Sequence, residues 1–154
     1  MMDENLHEFL MNHSMFRGLT PDHIDLLTSN ASTAEYGNRH RVFTCGALAD
    51  KFYIIQKGKV GVEIPAIAGA PLTIQTVSDG SVLGWSWLMP PYRWLFDARA
   101  LAPSSIVVLD GERVREVCES DPKLGYELMK RFALLMAERL NAARQTAIRH
   151  YTGE

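Results

Sequence analysis

Gly84-Trp85-Ser86-Trp87-Leu88 is a run of residue types that could hold an anion. A strand that stops at a glycine and turns into about one helical turn leaves backbone N–H groups unpaired at the start of that turn, and such groups favour negative charge. Trp85, Trp87 and Trp94, the chain's three tryptophans, fall with Tyr92 and Phe96 inside one twelve-residue window. Strand packing alone needs no such density of rings, so the spacing predicts a built site with planar, apolar walls. Arg93 and Arg99 are the cations beside it. Either one of them holds an anionic ligand, or both are surface residues stacked on indole faces. Catalytic chemistry is not indicated. His7, His13, His23, His40 and His150 form no HxH, HxxxH or HExxH pattern, no serine sits in GxSxG, and no glycine run forms a P-loop. A non-enzymatic protein without a metal site is therefore expected.

The elements that must position these residues follow from turn chemistry. From Gly80 to Ala100 the sequence predicts a strand, a turn closed by Pro90-Pro91, and a second strand from Phe96 to Leu101. Upstream, from Thr33, short apolar runs alternate with turn residues at Tyr36-Gly37-Asn38, Cys45-Gly46, Lys57-Gly58, Gly69-Ala70-Pro71 and Asp79-Gly80, an antiparallel β pattern. Lys51 to Val62 reads as a hairpin whose tight turn needs Gly58 for a positive φ. Pro65 to Pro71 reads as a mobile hairpin loop, Leu72 to Val77 as the returning strand, and Ser105 to Leu109 as a buried strand broken by Asp110-Gly111. Helices are expected at Asp3 to Leu10, at Pro21 to Ser29 with Thr20 as N-cap, at Glu112 to Glu119, and from Asp121-Pro122 to about His150. The fold class is α+β: an eight-stranded antiparallel β-roll, jelly-roll-like, with short N-terminal helices and a long C-terminal helix. Residues 1–154 read as a single domain, with an arm at 1–32, the roll at 33–110 including the 80–100 stretch, and C-terminal helices at 111–150.

Leu83-Gly84-Trp85-Ser86-Trp87-Leu88, followed by Phe96-Asp97-Ala98-Arg99-Ala100, resembles the phosphate-binding cassette of the cyclic-nucleotide-binding domains, as in the catabolite activator protein and the regulatory subunits of cyclic-AMP-dependent kinase. Phe52-Tyr53-Ile54-Ile55 with Gly58 and Val60 is similar to the family's hairpin, and Phe16 to Pro21 to its helical arm, so the resemblance runs through nearly the whole chain. It implies a sensor or regulatory protein binding a cyclic nucleotide, cyclic AMP or cyclic GMP, through Gly84, Trp85, Ser86, Trp87, Leu88, Arg93, Trp94 and Arg99. Two departures stand out. Trp85 takes the place of the glutamate that binds the ribose hydroxyl, and Trp94 that of the arginine that pairs with the cyclic phosphate. Arg93, beside the latter position, is the cation the resemblance favours as a substitute. The expected ligand is accordingly flatter or less polar than cyclic AMP, with at most one anionic group. A degenerate, non-binding dimeric interaction module is the alternative, and a transcription regulator relying on a separate DNA-binding partner is a third reading.

Composition and the last helix set the partners. With 47% hydrophobic and 22% charged residues the chain reads as folded and soluble rather than disordered or membrane-spanning, and its acidic N-terminus is unlike a signal peptide, so a cytoplasmic location is expected. Cys45 and Cys118 have no ligand spacing and read as reduced thiols. On the last helix Leu128, Phe132, Met136, Leu140, Ala143 and Ala147 form one apolar stripe, widened by Leu124, Leu135 and Ala142. Two apolar faces predict one packed on the roll and one on a second copy, with Leu128, Phe132, Met136 and Leu140 at a parallel homodimer seam. Lys130, Arg131, Arg139, Arg144 and Arg149 spread around the helix and read as solvated, and a net charge of −2 adds no support for nucleic acid. With Glu154 closing the sequence, no direct DNA binding is expected. Besides a small ligand and a second copy, a protein partner is compatible with this reading.

Overall fold

A computed structural model describes residues 2–153. Helices α1 (Met2–Asn12) and α2 (Pro21–Ser29) precede strands β1 (Ala31–Tyr36), β2 (Arg41–Phe43), β3 (Lys51–Lys57), β4 (Lys59–Ile64), β5 (Leu72–Ser78) and β6 (Val82–Leu83). A single 3-10 turn, Ser86–Leu88, separates β6 from β7 (Asp97–Ala100) and β8 (Ser104–Asp110), and the chain finishes with α3 (Gly111–Ser120) and α4 (Pro122–Thr152). The α+β β-roll predicted from the sequence is the fold observed: two four-stranded antiparallel sheets, ordered β1-β8-β3-β6 and β2-β7-β4-β5.

Period-two alternation divides the core into two layers. On β3, Tyr53 and Ile55 face the roll interior with Phe43, Val60, Val62, Leu83, Trp94 and Ile106. Phe52 and Ile54 face the other way, toward Leu10, Phe16, Leu27, Val114, Leu124, Leu128 and Phe132. One sheet is therefore covered on both faces, which explains why β3 and β8 read as nearly continuous apolar runs. The hairpin turn is set by Gly58, at φ +136°, where a Cβ would lie 2.7 Å from the Ser104 Cα.

The helical layer is fastened by caps and by side chains reaching across it. The Thr20 hydroxyl accepts from the His23 N–H at 3.2 Å, as an N-cap should. Asp121 caps α4 through the Leu124 N–H at 3.4 Å and accepts from His23 Nε2 at 2.8 Å, tying α2 to the start of α4. The His23 hydrogen bond, then the Leu124 amide, hold the Asp121 carboxyl below its ordinary value. A lowered folded-state pKa means that this contribution to stability is intact above the unfolded aspartate value of about 3.9 and is lost as pH falls through the folded value. Asp121→Asn is thus expected to destabilise the neutral-pH protein and to flatten its melting-temperature profile below about pH 4. An unchanged acid slope in thermal melts from pH 3 to 7 would refute the linkage.

The structure corrects the reading of α4. Leu124, Leu128 and Phe132 are fully buried in the chain's own core, so Leu128 and Phe132 are not available to a seam between copies. Phe132 meets Phe52 and Trp87 edge-on, with centroids at 5.5 and 5.3 Å. Nor is every α4 cation solvated. Arg131 donates to the Met15 and Arg17 carbonyls, each at 2.8 Å, clamping the arm, and Arg139 donates to the Val82 carbonyl at 2.6 Å.

Candidate functional site

Gly84 turns the chain out of β6 with φ +94°, and a Cβ there would come within 2.7 Å of the Trp94 ring. The residue is needed twice, for its backbone angle and for the indole's close approach. Beyond it, Trp85 and Ser86 border a cavity of about 230 Å³ between the mouth of the roll and α4. Trp94, Leu95 and Phe96 supply one wall and Phe43, Val62, Ile74, Gln75 and Leu83 the floor. Met136, Arg139, Leu140 and Ala143 of α4 form the roof. The lining is almost wholly apolar. Its polar side chains are Gln75, Ser86 and Arg139.

Of the eight ligand-binding residues expected from sequence, the structure brings Gly84, Trp85, Ser86 and Trp94 to this cavity and places the other four elsewhere. Trp87 points to the opposite side of the sheet, stacked on Phe52 at 4.5 Å and fully buried in the helical core. Its indole N–H is, among the described residues, a buried side-chain donor without a partner. Leu88 packs against that same core. The three tryptophans therefore do not form one aromatic box: Trp94 belongs to the roll interior, whereas Trp87 and the partly buried Trp85 pack against the helical core, with Trp85 also bordering the cavity.

The two expected cations are also outside. Arg93 pairs with Leu48 in an isolated bridge, and its guanidinium donates to the Gly46 carbonyl at 3.5 Å. Arg99 is neutralised: its Nε donates to the buried Glu63 carboxylate at 3.2 Å and its Nη1 to the Arg39 carbonyl at 2.9 Å. Arg99, Arg41 and Asp97 line a separate crevice beside Cys45 and the 65–71 loop. Asp97, buried there, accepts from the Cys45 N–H at 2.7 Å.

Trp94 occupies the roll interior itself. Its ring lies parallel to Phe43 with centroids 3.8 Å apart, and it is 5% exposed. Two groups around the turn escaped the sequence reading. Arg115 of α3 donates to the Trp87 carbonyl and sits 3.9 Å above the Tyr92 ring, fixing the elbow to the helical layer. Arg139 enters the cavity from α4. The signal for it was in the pattern, since Arg139 lies three residues after Met136 and four before Ala143, on the apolar face rather than opposite it.

A family model described as "Cyclic nucleotide-binding domain" matches residues 33–121. The CRP-like cAMP-activated global transcriptional regulator of Mycobacterium tuberculosis is 23% identical over 125 residues, covering 81% of this chain. The chain spans 56% of the length of that relative. Among solved structures, a candidate cyclic nucleotide-binding protein of Geobacter metallireducens GS-15 is similar at a TM-score of 0.78 and 25% identity, over 91% of this chain and 98% of its own. The regulatory subunit of a cAMP-independent protein kinase A from Trypanosoma brucei is similar at 0.70 and 20% identity, over 86% of this chain and 47% of its own.

Proposed function

The chain belongs to the cyclic nucleotide-binding domain family, and we propose that it works as a ligand-responsive regulatory protein, binding a small molecule between the β-roll and α4. The observation that carries this reading is the cavity itself, apolar, bordered by Gly84, Trp85 and Trp94, and roofed by α4. A ligand there touches roll and helix together, so occupancy changes how α4 is held. That is a signal by binding, without covalent chemistry. The fold leaves the ligand open, since it is shared with a kinase regulatory subunit described as cAMP-independent. We take residues 1–154 as one working domain acting in the cytoplasm; no helix among the described residues is long and apolar enough to cross a membrane. Mass spectrometry of small molecules released from freshly purified protein tests the reading. A stoichiometric compound is expected. None, together with tryptophan fluorescence unmoved by a broad metabolite panel, would favour a non-binding interaction module, a reading that the stacking of Trp94 on Phe43 also fits.

The output we propose is a homodimer along α4, through a seam that keeps Met136 and Leu140 and gives up the buried Leu128 and Phe132. Tyr126, Met129, Ala133, Met136, Leu140, Ala143 and Ala147 recur at alternating spacings of three and four, the pattern of a coiled-coil seam. All are exposed except Met136, which is half-buried, and Tyr126 and Leu140 are 65% and 72% exposed. Met136, Leu140 and Ala143 also roof the cavity, which links ligand to seam. Leu140→Glu is expected to weaken dimerisation by about 2 kcal/mol or more, roughly thirtyfold, as for a central hot spot. Analytical ultracentrifugation of wild type and variant checks this; a wild type that is monomeric at high micromolar concentration removes the seam. Direct DNA binding is not part of the proposal, because Arg131 and Arg139 are engaged within the chain.

A further inference from the structure

We infer that the cavity takes a small apolar carboxylic acid, with Arg139 of α4 as the group that holds its carboxylate. The inference deepens the reading of the cavity as a ligand site and rests on it. Arg139 is the one cation lining the cavity among the described residues. Its guanidinium offers five N–H donors in a planar fork, and the structure shows one of them spent, on the Val82 carbonyl at 2.6 Å. Arg99 is matched by buried Glu63; Arg139 has no ion-pair partner among the described residues, the charge acting on it being that of the exposed Glu138. Burial draws its pKa down from the ordinary arginine range, outweighing the opposing charge of Glu138.

Everything else around it selects for hydrocarbon or a ring. Phe43, Leu83, Trp85, Trp94 and Met136 face the space, with Gln75 and Ser86 as the remaining polar side chains. A carboxylate fits a guanidinium as a planar, two-point partner, and would supply the missing charge while its apolar body displaces water from the walls. At about 230 Å³ the cavity falls below the range of about 300–1,000 Å³ usual for drug-sized ligands, so the acid is small. A cyclic nucleotide has the wrong polarity for these walls: its hydroxyls and base edge need several partners, and leaving them unpaired when buried is costly. Because Met136, Leu140 and Ala143 line the same cavity as Arg139, an acid that draws the guanidinium from the Val82 carbonyl lies against residues of the helix face proposed as the dimer seam.

The test titrates the intact protein with benzoate, 3-phenylpropionate and octanoate, with the corresponding neutral amides, and with cyclic AMP. Tryptophan fluorescence is followed, since Trp85 and Trp94 line the cavity, and calorimetry confirms the affinities. At least one acid is expected to saturate, and its amide to bind about ten- to a hundredfold more weakly, the usual consequence of losing a charged hydrogen-bonded pair. Arg139→Gln is expected to impose the same loss, Arg139→Lys a smaller one, and Arg93→Gln none, at unchanged circular dichroism. Should Arg139→Gln not fold, the comparison of acid with amide on the wild type decides alone. Equal affinity for acid and amide, or unchanged acid affinity in a folded Arg139→Gln, overturns the inference. So does cyclic AMP or an amide binding where every acid fails, an outcome that leaves the cavity a ligand site; silence from all probes overturns the inference and counts against the site as well.

Discussion

Gly58→Ala is expected to be the most damaging single-methyl change in the chain, lowering stability by about 3–5 kcal/mol, the sum of a strained backbone angle and an overpacked contact. Gly58 sits at φ +136° in the turn between β3 and β4, a region that L side chains rarely adopt. The added Cβ would meet Ser104 not only at its flexible hydroxyl but at its Cα, 2.7 Å away, so a rotamer change cannot relieve the clash. Ser104 is itself pinned, donating to the Ala102 carbonyl at 2.8 Å and accepting from the Lys59 N–H at 3.1 Å. The turn is held from the other side as well, by the Gly58 N–H donating to Asp79 at 2.8 Å. Because domains are stable by only about 5–15 kcal/mol, a loss of this size leaves little folded margin. Urea denaturation of wild type and variant measures it. Ser104→Gly in the Gly58→Ala background should recover part of the loss, since it removes the side chain and leaves the Cα in place. A difference below about 1 kcal/mol between wild type and Gly58→Ala would show that the turn relaxes freely.

What the sequence made legible, and what it did not, divides along a physical line. Strands, turns and caps are written in local chemistry: Thr20-Pro21, Gly58, Asp110-Gly111 and Asp121-Pro122 each specify backbone geometry within a few residues, and each is found in that role. Which face a residue presents depends on partners distant in the chain. Trp87 and Trp94 read as one cluster in the sequence; the fold stacks the first on Phe52 beside Phe132 in the helical core and the second on Phe43 in the roll interior, with Trp85 at the cavity's edge. Arg139 reads as solvated with the other cations of α4 although it shares their helix's apolar face, because local sequence does not show that β6 passes beneath it. The same gap put Leu128 and Phe132, both fully buried in the chain's own core, at an expected seam between copies. Phe132 is the best apolar anchor on α4, and for that reason its own core takes it, leaving the weaker stripe of Tyr126, Met129 and alanines exposed.

Cyclic AMP is expected to bind this chain at hundreds of micromolar or more weakly, giving no saturable fluorescence change at low micromolar concentration. Trp85 and Trp94 stand where the family resemblance places the ribose-binding glutamate and the phosphate-binding arginine. The structure shows that the second replacement is more than a missing charge. The Trp94 ring lies flat on Phe43 at 3.8 Å, tilts against Tyr53 at 6.3 Å, and presses on the position where Gly84 would carry a Cβ. A cyclic phosphate approaching the turn after Gly84 would have to displace a nearly buried indole. It would then find, among the described residues, both elbow arginines engaged, Arg93 with the Gly46 carbonyl and Arg99 with Glu63. Losing a buried charge partner for phosphate costs about 2–5 kcal/mol, roughly thirty- to several-thousandfold in affinity. Indole, with one donor and no acceptor, cannot replace a carboxylate toward a ribose hydroxyl either. Arg139 could still attract the phosphate, but from the α4 side, where the walls offer the sugar and base little to hydrogen-bond. Calorimetric titration of cyclic AMP into wild type and Arg93→Ala decides the matter: submicromolar binding abolished by Arg93→Ala would mean that the elbow rearranges and the tryptophans give way to the nucleotide, whereas weak binding indifferent to Arg93 is the result this geometry requires.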